Sequence, residues 1–223
     1  NEGWQVAASA RRENLLQDLN KNNPSIYPFP LDIKDENKCN KVFQNIIEKF
    51  QTIDVCFFCT GIHDPESEKK LNAEKIREIM ETNFFGTVNC IMAVNAYFRE
   101  RKNGHISIVS SVAGYRGLPA ASGYCASKAA LTSLAESLFF DFKRYNVRVS
   151  LVSPGFIKTP LTDKNKFSMP MIKSPEYAAE KIFIGLTKKN AFEIHFPKIF
   201  TIIVKLLKIM PNWLFFWLIG KGI

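Results

Sequence analysis

Tyr124 and Lys128 stand four residues apart in a run of small residues, Gly123-Tyr124-Cys125-Ala126-Ser127-Lys128. On a helix, side chains at i and i+4 share a face, so the two could touch. A phenol near its ordinary pKa of about 10 holds its proton too tightly to exchange it at neutral pH. A neighbouring ammonium favours the phenolate and would bring Tyr124 toward the working range of a general acid or base. Ser111 lies thirteen residues earlier, far enough for a loop to fold back and set its hydroxyl beside the phenol. There it could hydrogen-bond a substrate carbonyl oxygen while the tyrosine gives that oxygen a proton. Such a site still needs a source of hydride.

The elements that would position these groups alternate strand and helix. Strands are expected at 4–10, 25–33, 53–61, 105–111 and 147–153, and helices at 11–22, 36–50, 72–102 and 122–145. Pro28 and Pro30 place the second strand at a sheet edge, because proline cannot donate to a ladder. The nearly unbroken apolar run "IDVCFFCTG" reads as a central parallel strand buried on both faces. This alternation predicts an α/β fold, a doubly wound, Rossmann-like parallel sheet with helices on both faces. Ligands in such folds sit beyond the carboxyl ends of the strands. Arg11 and Arg12, Asp32, Thr60 and Gly61, Ser110 and Ser111, and Pro154 and Gly155 all follow strand ends, so five strand ends converge on one edge.

Composition sets the limits. The chain has 223 residues, 46% hydrophobic and 23% charged, which suits one folded domain with a continuous core. The net charge of +9 is spread along the whole chain rather than gathered in a tract, which argues against a nucleic-acid partner. Cys56 and Cys59 form a single CxxC inside an apolar run, with no second pair and no histidine cluster, so no metal is expected and the cysteines read as buried thiols in a reducing cytoplasm. Residues 1–20 lack the apolar core of a signal peptide.

Taken in order, "TNFFG" (82–86), Ser111, Tyr124-x-x-x-Lys128 and "SPGFIKT" (153–159) resemble the short-chain dehydrogenase/reductase family over about residues 3–190. The resemblance implies hydride transfer between NAD(P) and a carbonyl or alcohol. It implies that Tyr124 is the acid/base, that Lys128 lowers its pKa and binds the nicotinamide ribose, that Ser111 orients the substrate oxygen, and that Asn83 helps hold a relay water. It assigns Asp32 to the adenine, Thr60 and Gly61 to the cofactor wall, and Pro154, Gly155, Ile157 and Thr159 to the nicotinamide. The chain departs from the family at "FCTG", where an asparagine pair is common. Members that use NAD carry an acidic residue at the end of the early strand, whereas this chain reads "SARR". NADP(H) is therefore expected over NAD(H), with Arg11 meeting the 2′-phosphate. The family's TGxxxGxG loop and the strand before it are expected to be missing ahead of residue 4, leaving a gap between the strands at 4–10 and 53–60.

Two units are expected: a truncated sheet domain over 1–195 and an apolar helical tail over 196–223. Lys205, Lys208 and Pro211 interrupt the tail, leaving three readings: a helix in a membrane interface, a lid or subunit contact, or a full span. The apolar loop 160–172 and the tail together suggest a lipophilic carbonyl or alcohol substrate. Small residues at Ala126, Ala129 and Ala130 would let helices pack closely, as in a homodimer or homotetramer. The expected location is cytoplasmic, with peripheral membrane contact through 196–223 left open. The alternative to an enzyme is a non-catalytic remnant acting as a membrane-associated or dimerising protein.

Overall fold

The computed structural model describes residues 3–189 and 191–220. The last three residues of the expected tail, 221–223, lie outside that range.

Short strands and long helices alternate as the sequence predicts. Strand β1 (Val6–Ala8) leads to α1 (Glu13–Asn22), β2 (Ile26–Pro28) to α2 (Glu36–Phe50), and β3 (Val55–Phe58) to α3 (Pro65–Lys69) and α4 (Ala73–Met80). A π-helical turn, Glu81–Phe85, joins α4 to α5 (Gly86–Arg101), and β4 (Gly104–Val109) precedes α6 (Ser122–Lys143). Strand β5 (Val147–Pro154), α7 (Pro175–Thr187), β6 (Glu193–Phe196), α8 (Lys198–Ile209) and α9 (Asn212–Gly220) complete the chain. The helix ends follow local chemistry. Asp35 caps α2 by accepting from the Lys38 N–H at 3.0 Å, and Gln51 closes it in the left-handed region at φ 62°.

Among the described residues all strand pairs are parallel, and they form two pieces. Strand β1 pairs with β2, and the other four run in the order β3-β4-β5-β6. Among the described residues, β1 and β3 each have a strand on one side only. The second strand is at an edge, as its prolines require. Among the described residues β3 is not central: it pairs with β4 on one side, its other side borders the gap expected between the strands at 4–10 and 53–60, and Phe57 is 38% exposed. Strand β1 also covers only three of the seven residues expected, and the long helix at 72–102 is broken by the π turn.

Both pieces rest on one core. Ala7 of β1 and Phe58 of β3 pack against the same cluster, which includes Phe98, Ile106, Ile108, Leu131 and Phe142. Each fully buried residue of this size contributes about 1.5–3 kcal/mol. Helices α2 and α5 join the pieces: the Cys39 and Cys90 sulfurs lie 3.8 Å apart, and the Asn89 amide donates to the Ile33 carbonyl at 3.0 Å. Nearly every residue of β4 and β5 is buried, and side chains alternate across a strand, so both sheet faces are covered. Of the five cysteines, Cys39, Cys56, Cys90 and Cys125 are buried as expected, while Cys59 is exposed at the end of β3.

Candidate active site

The carboxyl ends of β3, β4 and β5 meet the start of α6, and the expected chemical groups gather there. Ser111 follows β4, and its hydroxyl accepts from the Ala113 N–H at 3.1 Å, which fixes the turn that brings the chain back toward α6. The same hydroxyl acts on the Tyr124 phenol, whose pKa it pulls down against the effect of burial. Lys128 lies one turn beyond Tyr124 on α6 and is 3% exposed. Its Nζ donates to the Val109 carbonyl at 2.9 Å and lies 5.8 Å from the centroid of the Tyr124 ring.

The electrostatics differ from the simple expectation of a lysine pulling a tyrosine down. Burial pushes the Tyr124 phenol up to about 12, against the opposing hydrogen bond from Ser111. Burial also pushes Lys128 down to about 8. Desolvation penalises whichever form is charged, so it raises the phenol and lowers the ammonium. At neutral pH the tyrosine therefore holds its proton and the lysine keeps its charge.

Asn83 lies in the π turn with no exposed surface. Its Oδ1 accepts from the Ile62 N–H at 2.7 Å, and its Nδ2 donates to the Ile62 carbonyl at 3.0 Å and to the Ser127 hydroxyl at 3.0 Å. This amide ties the segment after β3 to α6, and a π turn at such a place is a recurrent feature of functional sites. The same segment carries Thr60, which is exposed, and Gly61. A Cβ on Gly61 would come within 3.3 Å of Lys128 Nζ, so glycine lets the backbone pass close to the ammonium.

The remaining predicted residues fall into two places. Pro154 ends β5, and the Gly155 N–H donates to the Phe196 carbonyl at 2.8 Å. A Cβ on Gly155 would lie 2.7 Å from the Phe200 ring, so α8 packs directly on this turn. Ile157 bridges to Lys173, and Thr159 is held by Thr162, which caps its N–H at 3.0 Å. Arg11 and Asp32 are at the ends of β1 and β2, brought side by side by the Leu31 N–H donating to the Ala10 carbonyl at 3.0 Å. The Asp32 Oδ1 accepts from the Lys34 N–H at 3.1 Å, and Arg11 is exposed.

Two residues escaped the sequence reading. Glu68, 1% exposed, accepts from the Tyr124 N–H at 3.0 Å and caps α6 in place of Ala121, whose side chain cannot. Its second oxygen is 2.8 Å from the His63 Nδ1, and the His63 ring lies 4.5 Å from the Tyr124 ring with 36° between their planes. Burial lowers the His63 pKa, and its hydrogen bond to Glu68 opposes that. The Asp64-Pro65 start of α3 is a readable helix signal, but a glutamate inside the charged run Glu66-Ser67-Glu68-Lys69-Lys70 gives no sign of being buried.

The family described as short chain dehydrogenase matches residues 1–170 of the chain. An uncharacterized oxidoreductase of Myxococcus xanthus is 33% identical over 217 residues, 96% of this chain and 85% of that protein. The 3-oxoacyl-[acyl-carrier-protein] reductase of Thermotoga maritima is 29% identical over 183 residues, 81% of this chain and 72% of its own length. Among solved structures, a short chain dehydrogenase of Burkholderia cenocepacia in complex with NADP superposes with a TM-score of 0.80 at 23% identity, covering 96% of this chain and 86% of that one. One from Burkholderia phymatum in complex with NAD gives 0.78 at 18% identity, covering 91% and 83%. At these identities the two structures speak for the fold.

Proposed function

The chain belongs to the short-chain dehydrogenase family of NAD(P)-dependent oxidoreductases, and on that premise we propose that it reduces a lipophilic carbonyl, or oxidises the corresponding alcohol, with NADP(H). The observation that carries this reading is the meeting of Ser111, Tyr124 and Lys128 at the carboxyl end of β4, with Asn83 bracing the loop opposite.

The residues present fit two parts of a nicotinamide dinucleotide, the nicotinamide ribose and the 2′-phosphate. Lys128 offers an ammonium beside a glycine that leaves the backbone bare, which suits ribose hydroxyls. Arg11 stands exposed at the end of β1 with no hydrogen bond or ion pair among the described residues, which suits a 2′-phosphate. The NADP complex of a structural relative agrees with that preference, and the NAD complex of another makes it a question for assay. When bound, the nicotinamide supplies or takes up the hydride.

The protein's own groups handle the oxygen. Ser111 donates a hydrogen bond to the substrate carbonyl oxygen and holds it beside the phenol. Tyr124, protonated at neutral pH because of its burial, gives that oxygen its proton as negative charge develops on it. The Lys128 charge then stabilises the phenolate left behind, which is far more costly in this dry site than in water. Apolar walls flank the site: the Phe156 ring lies 5.9 Å from Phe167 of the loop 160–172 and 5.5 Å from Phe200 of α8. They favour a greasy substrate.

The test is Tyr124→Phe, assayed with NADPH and with NADH on a panel of long-chain and cyclic ketones. Turnover should fall at least about 100-fold, the scale of a lost general acid, while cofactor binding changes little. Retained turnover would sink the assignment, and faster turnover with NADH would overturn the cofactor preference. The assembled site also argues against a non-catalytic remnant, since a chain relieved of chemistry has no reason to keep a lysine buried beside a buried tyrosine.

A further inference from the structure

Helix α8 is amphipathic, yet it is turned the wrong way round for a surface helix. Its apolar residues Ile199, Ile202, Ile203, Leu206 and Ile209 recur at helical spacing and face solvent, with Ile199 67% and Ile209 79% exposed. Its inner side is mixed: Phe200 packs on the Gly155 turn, Thr201 has no exposed surface and meets the His195 Nδ1 at 2.6 Å, and Lys205 pairs with Glu193. A surface helix of a globular protein does the reverse, turning its apolar stripe to the core. Helix α9 extends the exposed apolar surface, with Trp213 72% and Phe216 64% exposed.

We propose that α8 and α9 form a membrane-seating surface, on which the apolar face of α8 lies in the interface of an anionic bilayer. The occupant is identified by charge and size. Residues 194–223 contain four lysines and no aspartate or glutamate, within a chain of net charge +9. Lys198 is exposed beside the apolar stripe, where acidic headgroups would meet it, and Lys208 is exposed on the other side of the helix. A second copy of the chain would instead bring like charges together. The geometry is that of a helix lying in the interface: α8 has 12 residues, about 18 Å, and among the described residues no helix is long and apolar enough to cross a membrane. Trp213 is of the type that settles at headgroup depth.

The experiment is co-sedimentation of the full chain with vesicles of mixed phosphatidylcholine and phosphatidylglycerol, and with phosphatidylcholine alone. Binding should favour the anionic vesicles and weaken at high salt. The double variant Ile203→Glu/Leu206→Glu, at two exposed positions, should bind about tenfold or more weakly with an unchanged circular dichroism spectrum. Because a variant can fail by misfolding, the unaltered protein is also read by tryptophan quenching with brominated lipid, which should occur on the anionic vesicles. No binding by the unaltered protein, no quenching, or equal binding by the folded double variant would overturn the proposal. So would a dimer that ignores vesicles and is dispersed by the double variant, which would assign the face to a second copy.

Discussion

A lysine whose charged nitrogen has one hydrogen bond, to the Val109 carbonyl, and almost no exposed surface is a burden on the folded state. Its pKa falls from 10.5 to about 8 on burial, and that difference is worth on the order of 3 kcal/mol. The sign follows from proton counting. Below pH 8 both folded and unfolded chains carry the charge, and the penalty is present in full. Between pH 8 and 10.5 the unfolded chain holds more protons than the folded one, so this group's contribution to stability improves as pH rises. Lys128→Met should therefore stabilise the fold at pH 7 by up to about 3 kcal/mol while abolishing turnover. Denaturant unfolding of both forms at pH 7 and pH 9.5 checks this: the variant's advantage should shrink at the higher pH. An advantage that stays constant or grows would mean that burial does not depress Lys128. The lysine is kept where stability would remove it, as expected of a group held for chemistry.

Between Tyr124 and the rest of the site stands an element boundary, the first turn of α6. Its own N-cap position is Ala121, which offers no side-chain acceptor, and Glu68 from α3 supplies one from a distance in sequence. Glu68→Ala should cost about 2 kcal/mol by leaving the Tyr124 N–H without its acceptor, and should leave His63 without its partner. Glu68→Gln keeps an oxygen for the Tyr124 N–H and should recover most of the stability. If activity falls with Glu68→Gln while stability does not, the His63 contact matters to the tyrosine beyond the cap. Thermal unfolding together with kcat on the two variants separates these outcomes. The sequence already shows the i, i+4 spacing of Tyr124 and Lys128, the bounds of α2 and the edge position of β2, because each rests on local rules of period, capping and proline chemistry. It does not show Glu68 or His63, because a cap supplied by another helix depends on the tertiary fold. Nor does it show that the helix around Asn83 loosens into a π turn, since that depends on what packs alongside. Lys128 marks the middle case: its position is legible, while the dryness that sets its pKa belongs to the packed core.

For the molecule as a whole, the question is how an apolar tail stays docked while turning its greasy side outward. The answer lies in polar contacts on its inner side. The Arg116 guanidinium, on the loop between β4 and α6, donates to the carbonyls of Leu207 at 2.9 Å and Met210 at 2.7 Å. These carbonyls close the end of α8, where the Leu207 oxygen also accepts from the Met210 N–H at 3.4 Å, so the guanidinium adds a charged donor to the last turn. The same group also bonds the Asn212 side chain and lies 4.1 Å from the centroid of the Phe215 ring, so one residue holds the end of α8 and the start of α9 together. Nearby, Glu193 receives both Tyr115 and Lys205, tying α8 to β6 and to the loop that carries Ser111. The tail is thus fastened to the segment between β4 and α6, a few residues from the site. Arg116→Ala removes the charged donor and the ring contact at once, and hydrogen bonds from charged groups are worth about 1.5–3 kcal/mol. Hydrogen exchange should then show lost protection across Lys198–Gly220, with trypsin cutting faster at Lys198, Lys205 and Lys208, while the amides of β4 and β5 keep their protection. If the whole chain loosened together, the tail would be part of the cooperative core. Unchanged exchange would mean that Tyr115, Glu193 and Phe200 hold the tail without Arg116. The selective loss is expected because the tail is fastened at few residues, the Arg116 and Glu193 contacts and the Phe200 and Phe215 rings, whereas β4 and β5 are held by packing on both faces.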